Sequence, residues 1–495
     1  MPSQMSKQWF AEHNKKTIPA DAPVRIMQFG EGNFLRAFVD WIFKRLNDSG
    51  LFSGTVAVVQ PIPQGMLDKL KSQEYVYSLL LRGMEGGVVK DEPSFIDVIR
   101  DGVNPYGEWR RFLDMACSPE LRYVVSNTTE AGIAYVKTAK PDGACPESFP
   151  AKVAAMLSAR YDAFKGDAGK GLVFLPCELI EKNGAKLKEA VAKHFADWGL
   201  SDTVGKWMES SCRFYNTLVD RIVTGYPKAE AEAIWEKLDC RDEMLVVGEY
   251  FHLWVIEGDL KLRDEIPFEK SGLNVIVTDN LKPYRDRKVR VLNGAHTGNI
   301  LSAFLAGVDT VGEMMDDPQL GKNLRDMVLE EILPGVKLPD AEKRGYAEAV
   351  FERFQNPFVR HELLSISLNS VSKWKVRVLP SLKDYLAEKK ALPKRLAFSL
   401  AGLIAFYRGE WNGGDFVGWR EEGTYPIRDD KPVLDKFQAA WSKHKDNQKA
   451  LAGELLADAS LWDEDLAAIP GLTDEVASGL VAIASGGVRE AMKSL

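Results

Sequence analysis

The chain has 495 residues, 45% of them hydrophobic and 27% charged, and its 64 basic and 71 acidic side chains leave a net charge of −7. This is the make-up of a folded globular protein of two or three domains, and it excludes collagen-like, low-complexity and wholly disordered chains. The acidic balance argues against a broad nucleic-acid surface, and no run of 18 apolar residues offers a membrane span.

In chain order, residues 1–20 read as a loose polar leader without the apolar core of a signal peptide, so a reducing cytoplasm is the expected address. Residues 24–29 (Val-Arg-Ile-Met-Gln-Phe) form an apolar run that ends at glycines and reads as a strand. Residues 33–46 place Phe34, Ala37, Phe38, Trp41, Ile42 and Leu46 on a helical repeat. Residues 55–59, 122–126 and 171–175 read as further buried strands, with helices over 106–116 and 150–164 between them. Strands alternating with helices predict a parallel α/β sheet. Residues 274–278 are the last strand expected. Beyond 284 the pattern is helical over 289–305, 322–333, 341–354, 361–372 and 393–408, with more after 435. Residues 409–425 read as a Gly- and Trp-containing loop. A domain boundary is expected near residue 275, giving an α/β domain over 1–275 and a mainly helical domain over 276–495.

Two short segments carry chemistry. Phe29-Gly30-Glu31-Gly32-Asn33-Phe34 lies between the first strand and the first helix. Glycines there permit a tight turn and let backbone N–H groups approach a pyrophosphate at a helix N-terminus. The fingerprint is partial. Leu35 stands where G-x-G-x-x-G has its third glycine, and the second strand ends Val58-Val59-Gln60 without an acidic residue for a ribose hydroxyl. A plain βα corner has the same appearance.

The second segment runs from Lys288 to His296. On a regular helix Asn293 lies about 140° and His296 about 80° from Lys288, so all three share one side. A lysine, an amide and an imidazole together suit a carbonyl/alcohol site. A neutral lysine amine can take an alcohol proton as hydride leaves, provided its pKa falls from about 10.4. Asn293 can donate to a developing alkoxide, and His296 can bond a substrate hydroxyl. A solvated lysine beside ordinary helix polar residues is the plainer alternative. Five scattered cysteines (Cys117, Cys145, Cys177, Cys212 and Cys240) without C-x-x-C, and six histidines without H-E-x-x-H, give no metal site to expect.

Together these segments resemble the mannitol dehydrogenase family of polyol-specific long-chain dehydrogenases. The family's G-x-G-x-F-x-R-A is Gly30 to Ala37 here, and its K-x-x-x-x-N-x-x-H is Lys288, Asn293 and His296. Residues 126–132, 216–222 (Asn-Thr-Leu-Val-Asp-Arg-Ile) and the pair Ser372-Lys373 resemble further family segments. The resemblance implies a Rossmann-type N-terminal domain, a largely helical C-terminal domain, and zinc-independent hydride transfer with NAD. It implies Lys288 as acid/base, Asn293 and Asn183 at the oxyanion, and His296, Asp220 and Lys373 on substrate. It further implies cofactor contacts from Ile26, Gln28, Phe29, Gly30, Glu31, Gly32, Asn33, Phe34, Arg36, Ala37, Thr128 and Glu130.

Residues 28–41, 176–180, 219–226, 282–284 and 405–410 are similar to the branch that interconverts D-tagaturonate and D-altronate. Polyol-oxidising members carry an arginine where Ser365 stands. A hexuronate carboxylate needs a cation, and Arg360, His361, Lys373, Lys375 and Arg377 are all nearby in sequence. The sequence does not choose among them. The alternatives are the same chemistry on fructuronate or mannitol, and an NAD(H)-binding sensor without turnover. The expected partner is a small-molecule hexuronate or hexonate, with no nucleic acid or membrane, and the expected state is a monomer or weak oligomer.

Overall fold

Along the strand Val24–Phe29, alternate side chains enter two different cores: Ile26 packs on one side of the sheet, Met27 and Phe29 on the other. Val125 and Val124 divide the same way in Tyr123–Ser126. A strand apolar on both faces must be covered on both, which requires a parallel sheet between helical layers. The computed structural model, which describes residues 2–13 and 16–495, contains that sheet. Its six parallel strands run in the order Ile99–Val103, Thr55–Val59, Val24–Phe29, Tyr123–Ser126, Val173–Pro176 and Arg213–Phe214. In chain order this is 3-2-1-4-5-6, a Rossmann sheet whose order reverses between Val24–Phe29 and Tyr123–Ser126.

The chain divides into two units, residues 1–82 with 90–281, and residues 83–89 with 282–495. The first holds the six-stranded sheet. It also holds a three-stranded sheet in which Leu253–Glu257 pairs antiparallel with Asn216–Asp220 and parallel with Val275–Thr278. The expected strands at 24–29, 55–59, 122–126, 171–175 and 274–278 are present within two residues of the expected ends. The expected loose leader is corrected. Ser3–Gln4 pairs with Cys240–Arg241, and Lys7–His13 is a helix that buries Trp9 and Phe10. Residues 1, 14 and 15 of that stretch lie outside the described residues.

The single helix expected over 33–46 is two, Asn33–Ala37 and Val39–Asp48. Side chains from elsewhere take the carbonyls that would carry the helix through: Tyr77 Oη donates to Arg36 O at 2.9 Å and Arg221 Nη1 to Ala37 O at 2.7 Å. Insertion of side chains into the backbone ladder is a recognised cause of kinks.

Beneath this kink Asp40 is fully buried, accepting from Tyr77 Oη at 3.0 Å and more weakly from Gln28 Nε2 at 3.4 Å. Burial pushes its carboxyl up from 3.8 to about 7, although both hydrogen bonds and Arg36 work in the opposite direction. The folded state therefore keeps a proton that the unfolded chain releases, and this stabilisation, complete below about pH 4, is lost as pH rises through about 7. Asp40→Asn is expected to flatten that dependence and to raise stability at pH 8 by about 1–4 kcal/mol. Melting curves of both proteins between pH 5 and 8 check this; parallel Tm profiles would contradict it.

The second unit is mainly helical, with Asp340–Phe354 and Lys394–Phe406 among its long helices. Trp374 and Trp462 meet edge to face at 5.7 Å in its core, and Trp374 Nε1 donates to Ser399 Oγ at 2.8 Å. Two expectations are corrected here. Residues 409–425 are not a loop but an antiparallel meander of Gly409–Asn412, Asp415–Arg420 and Gly423–Pro426, so Val275–Thr278 is not the last strand. The helix expected over 361–372 is broken into Leu363–Ile366 and Ser370–Arg377, because Asn369 takes a left-handed φ of 52°.

Candidate functional site

In the first unit the turn after Val24–Phe29 is shaped by Gly30, whose φ of +124° suits glycine. A Cβ there would lie 3.1 Å from Leu35 Cδ1 and 3.4 Å from Asn127 O. Of the residues expected at the cofactor, Gly32 and Asn33 are exposed at the turn and Phe34 is half-buried. Ile26, Gln28, Phe29 and Ala37 are buried beneath it. Gln28 Nε2 donates to Gly30 O at 3.1 Å, tying strand to turn.

Arg36 is turned inward and 1% exposed. It donates to Glu31 O at 3.0 Å, to Asn33 Oδ1 at 2.8 Å and to Met244 O, so it stiffens the turn from within. Glu31 is also covered, and its Oε1 accepts from Met66 N at 3.0 Å. Gln60 Nε2 donates to Ile62 O at 3.0 Å and Pro63 O at 2.9 Å, so residues 60–66 fold back over the glycine turn.

At the end of Tyr123–Ser126, Thr128 gives both its N–H (3.0 Å) and its Oγ1 (3.1 Å) to Glu178 Oε1. Ser126 Oγ donates to Glu178 Oε2 at 3.1 Å. Glu178 is 2% exposed and is the organiser of this turn, a role that sequence reading missed; its place beside Cys177 in a strand-to-helix junction was the available signal. Glu130 is exposed. Pro61, Ile62, Thr128, Thr129, Val136 and Phe149 are among the residues lining a cleft of about 560 Å³ beside this turn.

Asn183 lies at the head of the helix Asn183–Asp197 and is 1% exposed. Its Nδ2 donates to Pro176 O (3.0 Å), Glu178 O (3.1 Å) and Thr217 O (3.2 Å), while Oδ1 accepts from Gly184 N (2.9 Å) and Thr217 N (2.8 Å). Backbone carbonyls thus take the amide hydrogens that the expected oxyanion role would use, an arrangement that suits a clamp. Asp220 ends the strand Asn216–Asp220, buried. Its neighbour Arg221 turns to Glu249 O (2.8 Å) and Ala37 O (2.7 Å) over the Trp41 ring.

In the second unit Lys288, Asn293 and His296 lie on one helical run, but not a regular one. Lys282–Arg287 and Gly294–Leu305 are α-helical, and Lys288–Asn293 between them is π-helical. Gly294 N accordingly reaches back to Val289 O. A π turn is wider than an α turn, with about 4.4 residues per turn, so Asn293 lies about 50° from Lys288 rather than about 140°. This corrects the expected geometry and brings the two closer in angle. Neither the Lys288 nor the Asn293 side chain makes a hydrogen bond or ion pair among the described residues. π-Turns inside α-helices are frequent at functional sites.

His296 stacks on Phe354 at 4.0 Å and meets the edge of His361 at 5.4 Å. Burial, helped by His361, Arg353 and Arg377, holds its pKa well below the usual range, so the ring is neutral. Its Nε2 is buried without a partner. Lys373 Nζ donates to Ile366 O at 2.9 Å, and burial lowers its pKa. Ser365 is exposed and donates to Glu362 O at 2.7 Å. Among the described residues no group of three His, Cys, Asp or Glu could hold a metal ion, and no helix is long and apolar enough to cross a membrane.

Residues 24–270 match the mannitol dehydrogenase Rossmann domain, and residues 280–484 match the mannitol dehydrogenase C-terminal domain. The chain belongs to the mannitol dehydrogenase family. Within it, the chain is similar to altronate oxidoreductase of Pectobacterium carotovorum subsp. carotovorum (strain PC1), 43% identical over 97% of this chain and 99% of that one. It is 42% identical to altronate oxidoreductase of Escherichia coli O139:H28 (strain E24377A / ETEC), with the same two coverages. Among solved structures it shares the fold of substrate-free D-sorbitol dehydrogenase, with TM-score 0.77, 22% identity and 96% of each chain covered. Mannitol 2-dehydrogenase of Pseudomonas fluorescens, solved with NAD and D-mannitol, gives TM-score 0.63, 22% identity and 99% of each chain covered.

Proposed function

We propose that this member of the mannitol dehydrogenase family is a cytoplasmic, NAD-dependent oxidoreductase that interconverts D-tagaturonate and D-altronate. The observation that carries this reading is the near-full-length similarity to altronate oxidoreductases at 42–43% identity. The free Lys288 and Asn293 side chains at a π turn support it.

The first unit suits a dinucleotide. Its turn holds Gly30 at a positive φ that suits glycine, and the neighbouring cleft of about 560 Å³ is large enough for part of such a ligand. NAD held there would accept or supply the hydride. Gly32 and Asn33 would face it from the turn; Gln28 and Arg36 hold that turn in shape, and Thr128 holds the turn after Tyr123–Ser126. Lys288 moves the proton, donating it to the oxygen of the keto carbon in reduction and removing it from the alcohol in oxidation. Asn293 donates an N–H to the same oxygen as charge develops there. His296, neutral, bonds a substrate hydroxyl through its unpartnered Nε2. Asp220 and Lys373 complete the substrate contacts.

The test follows NADH absorbance with D-tagaturonate, D-fructuronate and D-fructose in parallel. The expected result is a kcat/KM for tagaturonate at least tenfold above either competitor. Preference for another sugar overturns the substrate, and NADH binding without turnover of any sugar overturns the enzyme reading.

A further inference from the structure

A hexuronate differs from the neutral sugars of related enzymes by one carboxylate, and the chain must answer that charge with a cation not already neutralised. We infer that Arg377 is the residue that binds this carboxylate, and that it selects sugar acids over neutral sugars. The inference rests on the hexuronate reading above and goes beyond it by naming the selector.

The candidates separate once their partners are known. Arg360 is exposed and bound to Glu362 at 2.6 Å. Lys375 is bound to Asp463 at 2.8 Å. Lys373 donates to the Ile366 carbonyl, and Asp429 acts on it as a neighbouring negative charge. Arg377 is half-buried, and its one described hydrogen bond is from Nη1 to the neutral Thr297 hydroxyl at 3.3 Å. Burial lowers its pKa with no anion opposing the shift.

Its position fits the task. Arg377 ends the helix Ser370–Arg377, and its carbonyl oxygen lies where a Cβ on Gly294 would come within 3.2 Å. Gly294 directly follows Asn293, and Thr297 directly follows His296. The Arg377 charge also acts on the His296 ring. A partly desolvated guanidinium beside the proposed hydroxyl-binding histidine can take a carboxylate through two parallel N–H donors, which a lysine cannot do.

The experiment measures kcat/KM of wild type, Arg377→Gln, Arg377→Lys and Lys373→Gln with D-tagaturonate and with neutral D-tagatose, and D-altronate binding to the NADH-loaded proteins, which cannot turn over, by calorimetry. In Arg377→Gln the ratio of kcat/KM for acid over neutral sugar is expected to fall at least 100-fold, mainly through KM, and altronate affinity at least tenfold. Arg377→Lys should fall between it and wild type; should the glutamine variant not fold, the lysine variant alone decides. An unchanged ratio in a folded Arg377 variant, or collapse of the ratio in Lys373→Gln alone, overturns the inference while leaving the hexuronate reading intact. Wild type that neither reduces a hexuronate nor binds altronate overturns both.

Discussion

Replacing Lys288 by alanine is expected to lower kcat/KM for hexuronate reduction by about 10²–10⁴-fold, the usual effect of losing a positioned acid–base group. The side chain has no competing partner among the described residues, so its removal leaves no buried charge stranded and the fold should survive. The loss should appear in kcat, because a proton donor acts on charge that exists only as hydride moves. NADH affinity, read from its fluorescence, should stay near wild type, since the glycine turn is in the other unit. Small primary amines added to the variant should restore part of the rate. A Lys288→Ala enzyme within threefold of wild type removes the lysine from proton transfer.

The second large effect concerns Asn183, and it separates two roles. As an oxyanion donor its loss would cost about 10²–10³-fold in kcat with little change in stability. As a clamp its loss leaves several buried backbone groups of Pro176, Glu178, Gly184 and Thr217 without partners, for a cost of about 2–4 kcal/mol. The geometry supports the clamp. Asn183→Ala is therefore expected to lower the melting temperature by several degrees, while the enzyme that remains folded at low temperature keeps kcat within a few-fold of wild type. The site is also tight: a Cβ on the adjacent Gly184 would come within 2.0 Å of Tyr215 O. A variant with wild-type melting and a hundredfold lower kcat would return Asn183 to the oxyanion.

Much of this architecture was legible because its signals are local. Runs such as Thr55–Val59 are apolar on both faces, and only a covered parallel strand accommodates that. The hairpin Tyr77–Glu85 with Val88–Ile96 was missed although Gly86 and Gly87, at φ 60° and 76°, mark its turn. Gly413, at φ 63°, marks the first turn of the meander. Tyr77–Leu81 is buried, but Val88–Ile96 and the meander strands are largely exposed with weak alternation, and a glycine pair alone was not read as a turn.

Other features could not be read locally. The break at Phe38 depends on Arg221 and Tyr77, which are far away in sequence and captured only by the folded chain. The π turn at Lys288–Asn293 has an unremarkable helical sequence. The role of Asn183 was not legible because an asparagine that clamps carbonyls and one that polarises a ketone look alike until their partners are known. The choice of Arg377 required knowing which acids already occupy Arg360 and Lys375.

The widened turn at Lys288–Asn293 also carries one residue more than a plain α-helix over the same path would. It behaves as a residue added to a helix and kept. Deleting one of its six positions would let the run close as a plain α-helix while Ile300, Leu301 and Phe304 keep their places in the core, because the wide turn alone holds the surplus residue. A change of length here therefore acts on the turn that holds Lys288 and Asn293 before it acts on the packing of the helix that follows.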